Sequence, residues 1–192
     1  MANGPLDTSL LDRAIVFAVK AHAGTERRGK GFPYIVHPME AMSIVASITS
    51  DQELLAAAAL HETVEDTDVT VDQLRAEFGD RIADLVASES DAVMEGVSER
   101  DSWHSRKQAA IDALKGAGRD VKIVALGDKL SNMRAIERDY AEKGDSLWTL
   151  FHASSPKEHA WRYRALADAL RELDDTEAFK EFESLIVKVF GK

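Results

Sequence analysis

At 192 residues the chain is long enough for one substantial core, because a domain of this size hides about 70% of its unfolded surface. Its 45% hydrophobic and 30% charged residues exclude a disordered chain, no apolar run approaches the roughly 20 residues of a membrane span, and the absence of cysteine removes disulfides, thiolate zinc sites and cysteine nucleophiles together. A net charge of −10 repels nucleic acid at long range, which leaves small molecules as ligands, and any metal has to sit among His, Asp and Glu.

The start, Met1-Ala2-Asn3-Gly4-Pro5, lacks a basic segment followed by an apolar stretch, so no secretion signal is read and a cytoplasmic location is expected. Leu11, Ile15, Ala18 and His22 then recur near the 3.6-residue period of a helix. A loop from Gly24 to Tyr34 follows, in which Arg27, Arg28 and Lys30 stand among Gly24, Gly29, Gly31 and Pro33, so a pliant backbone carries concentrated positive charge. Tyr34-Ile35-Val36-His37-Pro38 closes that loop and opens a helix, with Pro38 suited to its first turn and His37 at the junction.

Three pairs fit a capping box: Ser50 with Glu53, Thr70 with Gln73, and Ser155 with Glu158. They predict helix starts at about residues 51, 71 and 156, the last with Pro156 at the first helical position. The most informative stretch is Leu54 to Asp66, where seven apolar residues meet His61, Glu62, Glu65 and Asp66 at once. A helix apolar on every side is a buried one. Acids crowded at its C-terminal end face the negative end of the helix dipole, which disfavours each by about 0.3 to 1 kcal/mol. A divalent cation reverses that balance; a helix ending at the surface with solvated acids explains it equally well from this segment alone.

Residues 91 to 101 are polar and predict a second loop between two helical halves. Downstream, Val121 to Asp128 is another largely apolar helix that meets an acid, with Asn132 one turn further on the same face. Taken alone, Asp128 reads more simply as an exposed partner of Lys129. The closing segment aligns Phe179, Phe182, Ile186, Val189 and Phe190 on one stripe that covers a core. Strand-like alternation is missing, so the expected fold is all-α, one domain of eight to ten helices. His22 on its apolar stripe and the aromatic residues Trp103, Trp148, Trp161 and Tyr163 read as packing residues. His104, His152 and His159 lack metal-like acidic partners nearby in sequence, which weakens a two-metal reading.

Together, AHAGTERRGKGFPYIVHP, ALHETVEDTDVT with the following FGDRIADLV, and VKIVALGDKLSNMRAI resemble the HD hydrolases of the RelA/SpoT family, most closely its stand-alone small alarmone hydrolases. The resemblance spans roughly residues 9 to 190 and implies one all-α, HD-type, metal-dependent phosphohydrolase domain over 1–192. It implies a single divalent metal held by His37, His61, Glu62 and Asp128, with manganese favoured and iron or zinc as alternatives, a donor set suited to any of the three. The Glu-Asp pair of the family falls on Glu65 and Asp66 as catalytic residues. Substrate contacts carry over to Arg28, Lys30, Asn132 and Arg134. The implied reaction is hydrolysis of the 3′-pyrophosphate of (p)ppGpp to GDP or GTP and pyrophosphate.

One departure is plain: Glu62 stands where the family has aspartate. Two alternatives therefore stand beside the alarmone reading, an HD phosphohydrolase of another nucleotide such as a nucleoside monophosphate, and a catalytically impaired nucleotide-binding homologue. Partners are expected to be small nucleotides, without nucleic acid or membrane. The oligomeric state is open, a homodimer being one option.

Overall fold

In the computed structural model, which describes residues 6–27, 29–89, 99–151 and 155–191, the apolar run beginning at Leu54 forms α3 (Gln52–Leu60). All seven of its residues from Leu54 to Leu60 are buried. Four consecutive alanines keep this helix slim. Three others pack against it: α1 (Ser9–Ala21), α2 (Val36–Ala46) and α6 (Asp80–Glu89). The first presents Ala14 and Ala18 and the second Ala41, Ile44 and Val45, so small side chains meet small side chains and the backbones approach closely. The short α4 (Thr63–Asp66) follows α3, and α5 (Val71–Phe78) packs on α6. These helices belong to the first of two compact units, Met1–Ser90.

The second unit, Asp91–Lys192, contains α7 (Glu99–Gly116), α8 (Arg119–Lys143), a 3₁₀ helix (Gly144–Leu150), α9 (Pro156–Ala169), a 3₁₀ turn (Arg171–Leu173) and α10 (Glu177–Phe190). Its core forms where α10 lays Phe179, Phe182, Ile186 and Val189 against α8 and α9. The predicted stripe is therefore the buried one, Phe190 lying at its edge. An aromatic cluster adds to it: Trp148 stacks on His159 with centroids 5.1 Å apart, and Tyr163 stacks on Phe190 at 6.0 Å. Trp148 and Tyr163 are almost fully buried, and Trp161 stacks on His104 at 4.1 Å. Packing is thus what the aromatic residues do, as expected.

Ten α-helices and no strand are found among the described residues, the one β-bridge joining Glu26 to Pro33. Two of the three capping predictions need adjustment. Thr70 and Gln73 form the full box at the start of α5. At α3 the cap is Asp51, one residue later than Ser50, accepting from the Glu53 amide at 2.9 Å. Arg81 explains the shift: it pairs with Asp51 at 2.9 Å and also takes the Glu53 carboxylate that a box at Ser50 would have needed. At α9, Pro156 opens the helix as predicted but Ser155 makes no side-chain cap, and the Glu158 carboxylate instead meets His104 Nδ1 at 3.0 Å. Of the predicted loop at 91 to 101, residues 91–98 lie outside the described residues and 99–101 already belong to α7.

Candidate metal centre

The helix predicted to run from Leu54 into the acids stops at Leu60. His61 and Glu62 form a corner, and α4 begins at Thr63. Two side chains hold that corner to the end of α3: Thr63 Oγ1 donates to the Leu60 carbonyl at 2.7 Å, and His61 Nδ1 meets the Ala58 carbonyl at 2.8 Å. A carbonyl only accepts, so His61 Nδ1 carries the proton and Nε2 of the neutral ring presents a lone pair. Nε2 lies 3.5 Å from Glu62 Oε1.

His37 arrives from the other side of the corner, on the first turn of α2, as its position before Pro38 predicts. Its Nε2 lies 3.4 Å from the same Glu62 oxygen, and the two imidazole centroids are 5.1 Å apart. Both histidines are 3% exposed. One donor atom each from His37, His61 and Glu62 therefore fall within 4.8 Å of one another. An imidazole lone pair and a carboxylate oxygen repel at this range unless positive charge stands between them. One divalent cation placed among them satisfies all three donors. The set of two nitrogens and an oxygen suits manganese, iron or zinc. Glu62 also answers the question its extra methylene raises, since its carboxylate already reaches both rings.

Glu65 and Asp66 stand on α4, exposed, and the Asp66 amide still donates to the Glu62 carbonyl at 3.0 Å. Asp66 thus stays one helical turn beyond Glu62 despite the break in the helix. Tyr34, which the sequence reading passed over, joins this region. Burial, followed by the negative charge of Glu62 and the neighbouring Asp66, pushes its phenol well above its ordinary value.

The basic loop is tied shut around a turn. Tyr34 N donates to Thr25 O and Arg27 N to Phe32 O, while the Gly31 amide donates to the Glu26 carboxylate. Gly29 and Gly31 both adopt positive φ there, 69° and 70°, which other residues rarely tolerate. Lys30 is half-buried on this turn, Arg28 lies outside the described residues, and Arg27 sits over the Tyr34 ring at 5.3 Å.

In the second unit Asp128 is 5% exposed, in the middle of α8. The simple reading of an exposed acid is therefore corrected. It does pair with Lys129 Nζ, at 2.5 Å, and it accepts from Asn132 Nδ2 at 2.5 Å, one turn on as the spacing predicts. Arg134 is engaged by a two-pronged pair with Glu181 on α10, both contacts at 2.7 Å, and that guanidinium holds the Glu181 carboxyl below its ordinary value.

Residues 14–155 match the model of the HD domain family. A probable guanosine-3′,5′-bis(diphosphate) 3′-pyrophosphohydrolase of Synechocystis is 28% identical, over 95% of this chain and 24% of the relative. A guanosine-3′,5′-bis(diphosphate) 3′-pyrophosphohydrolase of Vibrio cholerae is 35% identical, over 66% of this chain and 18% of the relative. The chain thus spans about a quarter or less of the length of these curated relatives. Two solved structures share the fold. A metazoan ortholog of SpoT, described as hydrolyzing ppGpp, superimposes with a TM-score of 0.71 at 21% identity, over 97% of both chains. A Listeria monocytogenes protein gives 0.71 at 27% identity, over 81% of this chain and 99% of its own. The resemblance read from the three sequence segments is borne out by these likenesses. Among the described residues no helix is long and apolar enough to cross a membrane.

Proposed function

Because the chain belongs to the HD domain family, we propose that it is a metal-dependent phosphohydrolase that removes the 3′-pyrophosphate of (p)ppGpp, leaving GDP or GTP. The main support is the corner after α3, where two buried imidazoles and a carboxylate converge with one ring's tautomer fixed by the Ala58 carbonyl. The names of the relatives supply the substrate: guanosine 3′,5′-bis(diphosphate) is what they are said to hydrolyse.

His37, His61 and Glu62 would hold the ion, and Asp128, a buried carboxylate in a largely apolar helix, is the fourth ligand in this proposal. Residues 1–192 then work as one HD-type domain, in keeping with a family match that runs through both units. Manganese is the favoured ion, with iron and zinc compatible with the same donors. When bound, a divalent ion supplies a Lewis acid for phosphoryl oxygens and a water acidified toward neutrality. Glu65 and Asp66 would orient an attacking water and accept its proton. Arg28 and Lys30 on the basic loop hold the base and phosphates, while Asn132 and Arg134 contact the nucleotide. Arg134 has to share its guanidinium with Glu181 to do so. The setting is cytoplasmic, with a nucleotide as the partner.

The purified chain, loaded with Mn²⁺, Fe²⁺ or Zn²⁺ in turn, is expected to release pyrophosphate from ppGpp. No release with any of the three ions, or faster turnover of nucleoside monophosphates than of ppGpp, overturns the reading.

A further inference from the structure

The second unit holds a cleft to which the proposed reaction gives no task. It has a volume of about 330 Å³ and lies among Tyr140 at the end of α8, Trp148 on the 3₁₀ helix, Lys157, Ala160 and Arg164 on α9, and Phe190 at the end of α10. Clefts from about 300 Å³ upward are the size that takes small molecules. This one is set apart from Asp128, the proposed metal ligand of the same unit. Tyr140 stands beyond Asp128 on α8 by about 18 Å of helical rise.

Part of its lining is aromatic. The Trp148 ring neighbours both Tyr140 and Phe190, with centroids 5.6 and 5.5 Å away and planes tilted by 38° and 30°. Tyr140 spends its hydroxyl on the exposed Asp145 at 3.2 Å, so its ring is what remains for a ligand. Trp148 is 2% exposed, and its indole N–H finds no acceptor among the described residues. A phenylalanine would fill the stack without burying that polar atom. Packing alone therefore does not explain a tryptophan here; the wider ring it adds to the cleft does.

The rest of the lining is cationic. Lys157, Ala160 and Arg164 recur at i, i+3 and i+7, on one face of α9, and the small Ala160 keeps the space between the two cations open. Both cationic side chains are exposed, and neither has a carboxylate partner among the described residues. Arg164 instead donates to the Phe190 and Gly191 carbonyls, at 3.1 Å each, and these are uncharged. In a chain with 34 acids against 24 lysines and arginines, two neighbouring cations without an acid stand out. Lys157 also sits in the first turn of α9, where the helix dipole adds to its pull on an anion.

We propose that this cleft is a second ligand site, for a nucleoside diphosphate whose base lies against Tyr140, Trp148 and Phe190 and whose phosphates meet Lys157 and Arg164. An aromatic acid with one carboxylate would engage one cation and leave the other idle. A nucleic-acid strand is opposed by the net charge of −10. A diphosphate carries several anionic oxygens beside a stacking base and so answers both parts of the lining. Stacking on aromatic rings tolerates any base, so the cleft is expected to take adenine and guanine nucleotides alike. The site stands independently of the metal centre and of the substrate assigned to it.

The test titrates the full chain with GDP and with inorganic pyrophosphate, loaded with diamagnetic Zn²⁺ for spectra and with Mn²⁺ for turnover. The Trp148 indole N–H resonance, one of three in the chain and identified by its absence in Trp148→Phe, is expected to shift when GDP is added. Lys157→Gln changes only an exposed side chain. It should raise the Kd read from that shift about tenfold, the loss of one charge-assisted contact, with Tm and the KM for ppGpp at wild-type values. Pyrophosphate lacks a base and should bind about tenfold more weakly than GDP or worse, and Phe190→Ala should narrow that gap.

A Trp148 resonance that ignores GDP, or a Lys157→Gln variant that binds GDP as tightly as wild type, overturns the site. Pyrophosphate binding as tight as that of GDP overturns the stacking role of the rings and with it the nucleotide assignment. A raised KM for ppGpp in Lys157→Gln makes the cleft part of the catalytic site and overturns its independence. If wild-type protein fails to cleave ppGpp but the Trp148 shift appears and weakens in Lys157→Gln, the proposed reaction falls and the cleft stands.

Discussion

Helices α3 and α8 both carry a buried apolar run up to an acid, yet they present it in opposite ways. The run in α3 stops at Leu60, and the chemistry-bearing residues sit on a corner and a short turn beyond it. In α8 the backbone continues unbroken past Asp128 to Lys143, and the carboxylate is satisfied by its own helix neighbours Lys129 and Asn132. A corner can bring several donors to one point because consecutive residues there need not obey the helix period. A helix interior can offer one donor, but offers it rigidly.

The largest expected effect separates the two arrangements. His61→Ala removes a ligand and also the ring that ties the corner to Ala58, so bound metal, turnover and Tm should all fall. Asp128→Asn keeps an amide able to bond its helix neighbours, so metal and turnover should fall while Tm holds. Elemental analysis beside thermal unfolding checks the pair, and equal Tm losses would erase the contrast. Next, Asp66→Asn is expected to slow turnover by about 10² to 10⁴, the usual span for a group that moves a proton, with bound metal unchanged.

Leu60→Ala then tests how much the corner depends on the packing beneath it. The side chain is fully buried, and the cavity is expected to cost about 2 to 5 kcal/mol in denaturant unfolding. Glu62→Asp is subtler. Because the glutamate oxygen already reaches both imidazoles, shortening it should weaken metal binding by about tenfold, within the range for disturbing a ligand's surroundings. Tighter binding or faster turnover would mean that the glutamate is a defect, as in a catalytically impaired homologue.

The smallest effect belongs to the second unit. Glu181→Gln removes one half of the pair with Arg134, a partly exposed contact worth about 0.5 to 1 kcal/mol. The Glu181 carboxyl titrates lower in the folded chain than its ordinary 4.5. Its contribution is therefore present above that value and lost as pH falls below it. Wild type and Glu181→Gln should differ in Tm at pH 7 and converge toward pH 3. Freed from Glu181, Arg134 is also expected to lower KM for ppGpp if it contacts the nucleotide.

Much of this was legible in the chain because it follows from one-dimensional pattern. The all-apolar run at Leu54 to Leu60, the stripe on α10 and the start of α9 at Pro156 all emerge from periodicity and proline placement. His37 at a helix opening and His61 after a buried run were also readable. What escaped the pattern depends on three-dimensional competition. The Ser50 box fails because a distant Arg81 takes the Glu53 carboxylate it would use and pairs with Asp51, which caps the helix instead. Asp128 reads as exposed until its neighbours close over it. Tyr34 was passed over because its neighbours, the His22 ring stacked on it and Arg27 over its face, are brought there by the path of the loop, and no local signal marks such contacts.

The hydrogen bond from the His61 ring to the Ala58 carbonyl limits which side chains that position can accept. A side chain that claims a carbonyl near the end of a helix competes with the backbone for the same acceptor, so the bond that selects the tautomer also helps end the helix. Punctuation and reactivity are written into one atom pair. A replacement that tried to keep the architecture without the imidazole, or the imidazole without the architecture, would lose the other, which makes this residue the least negotiable in the chain.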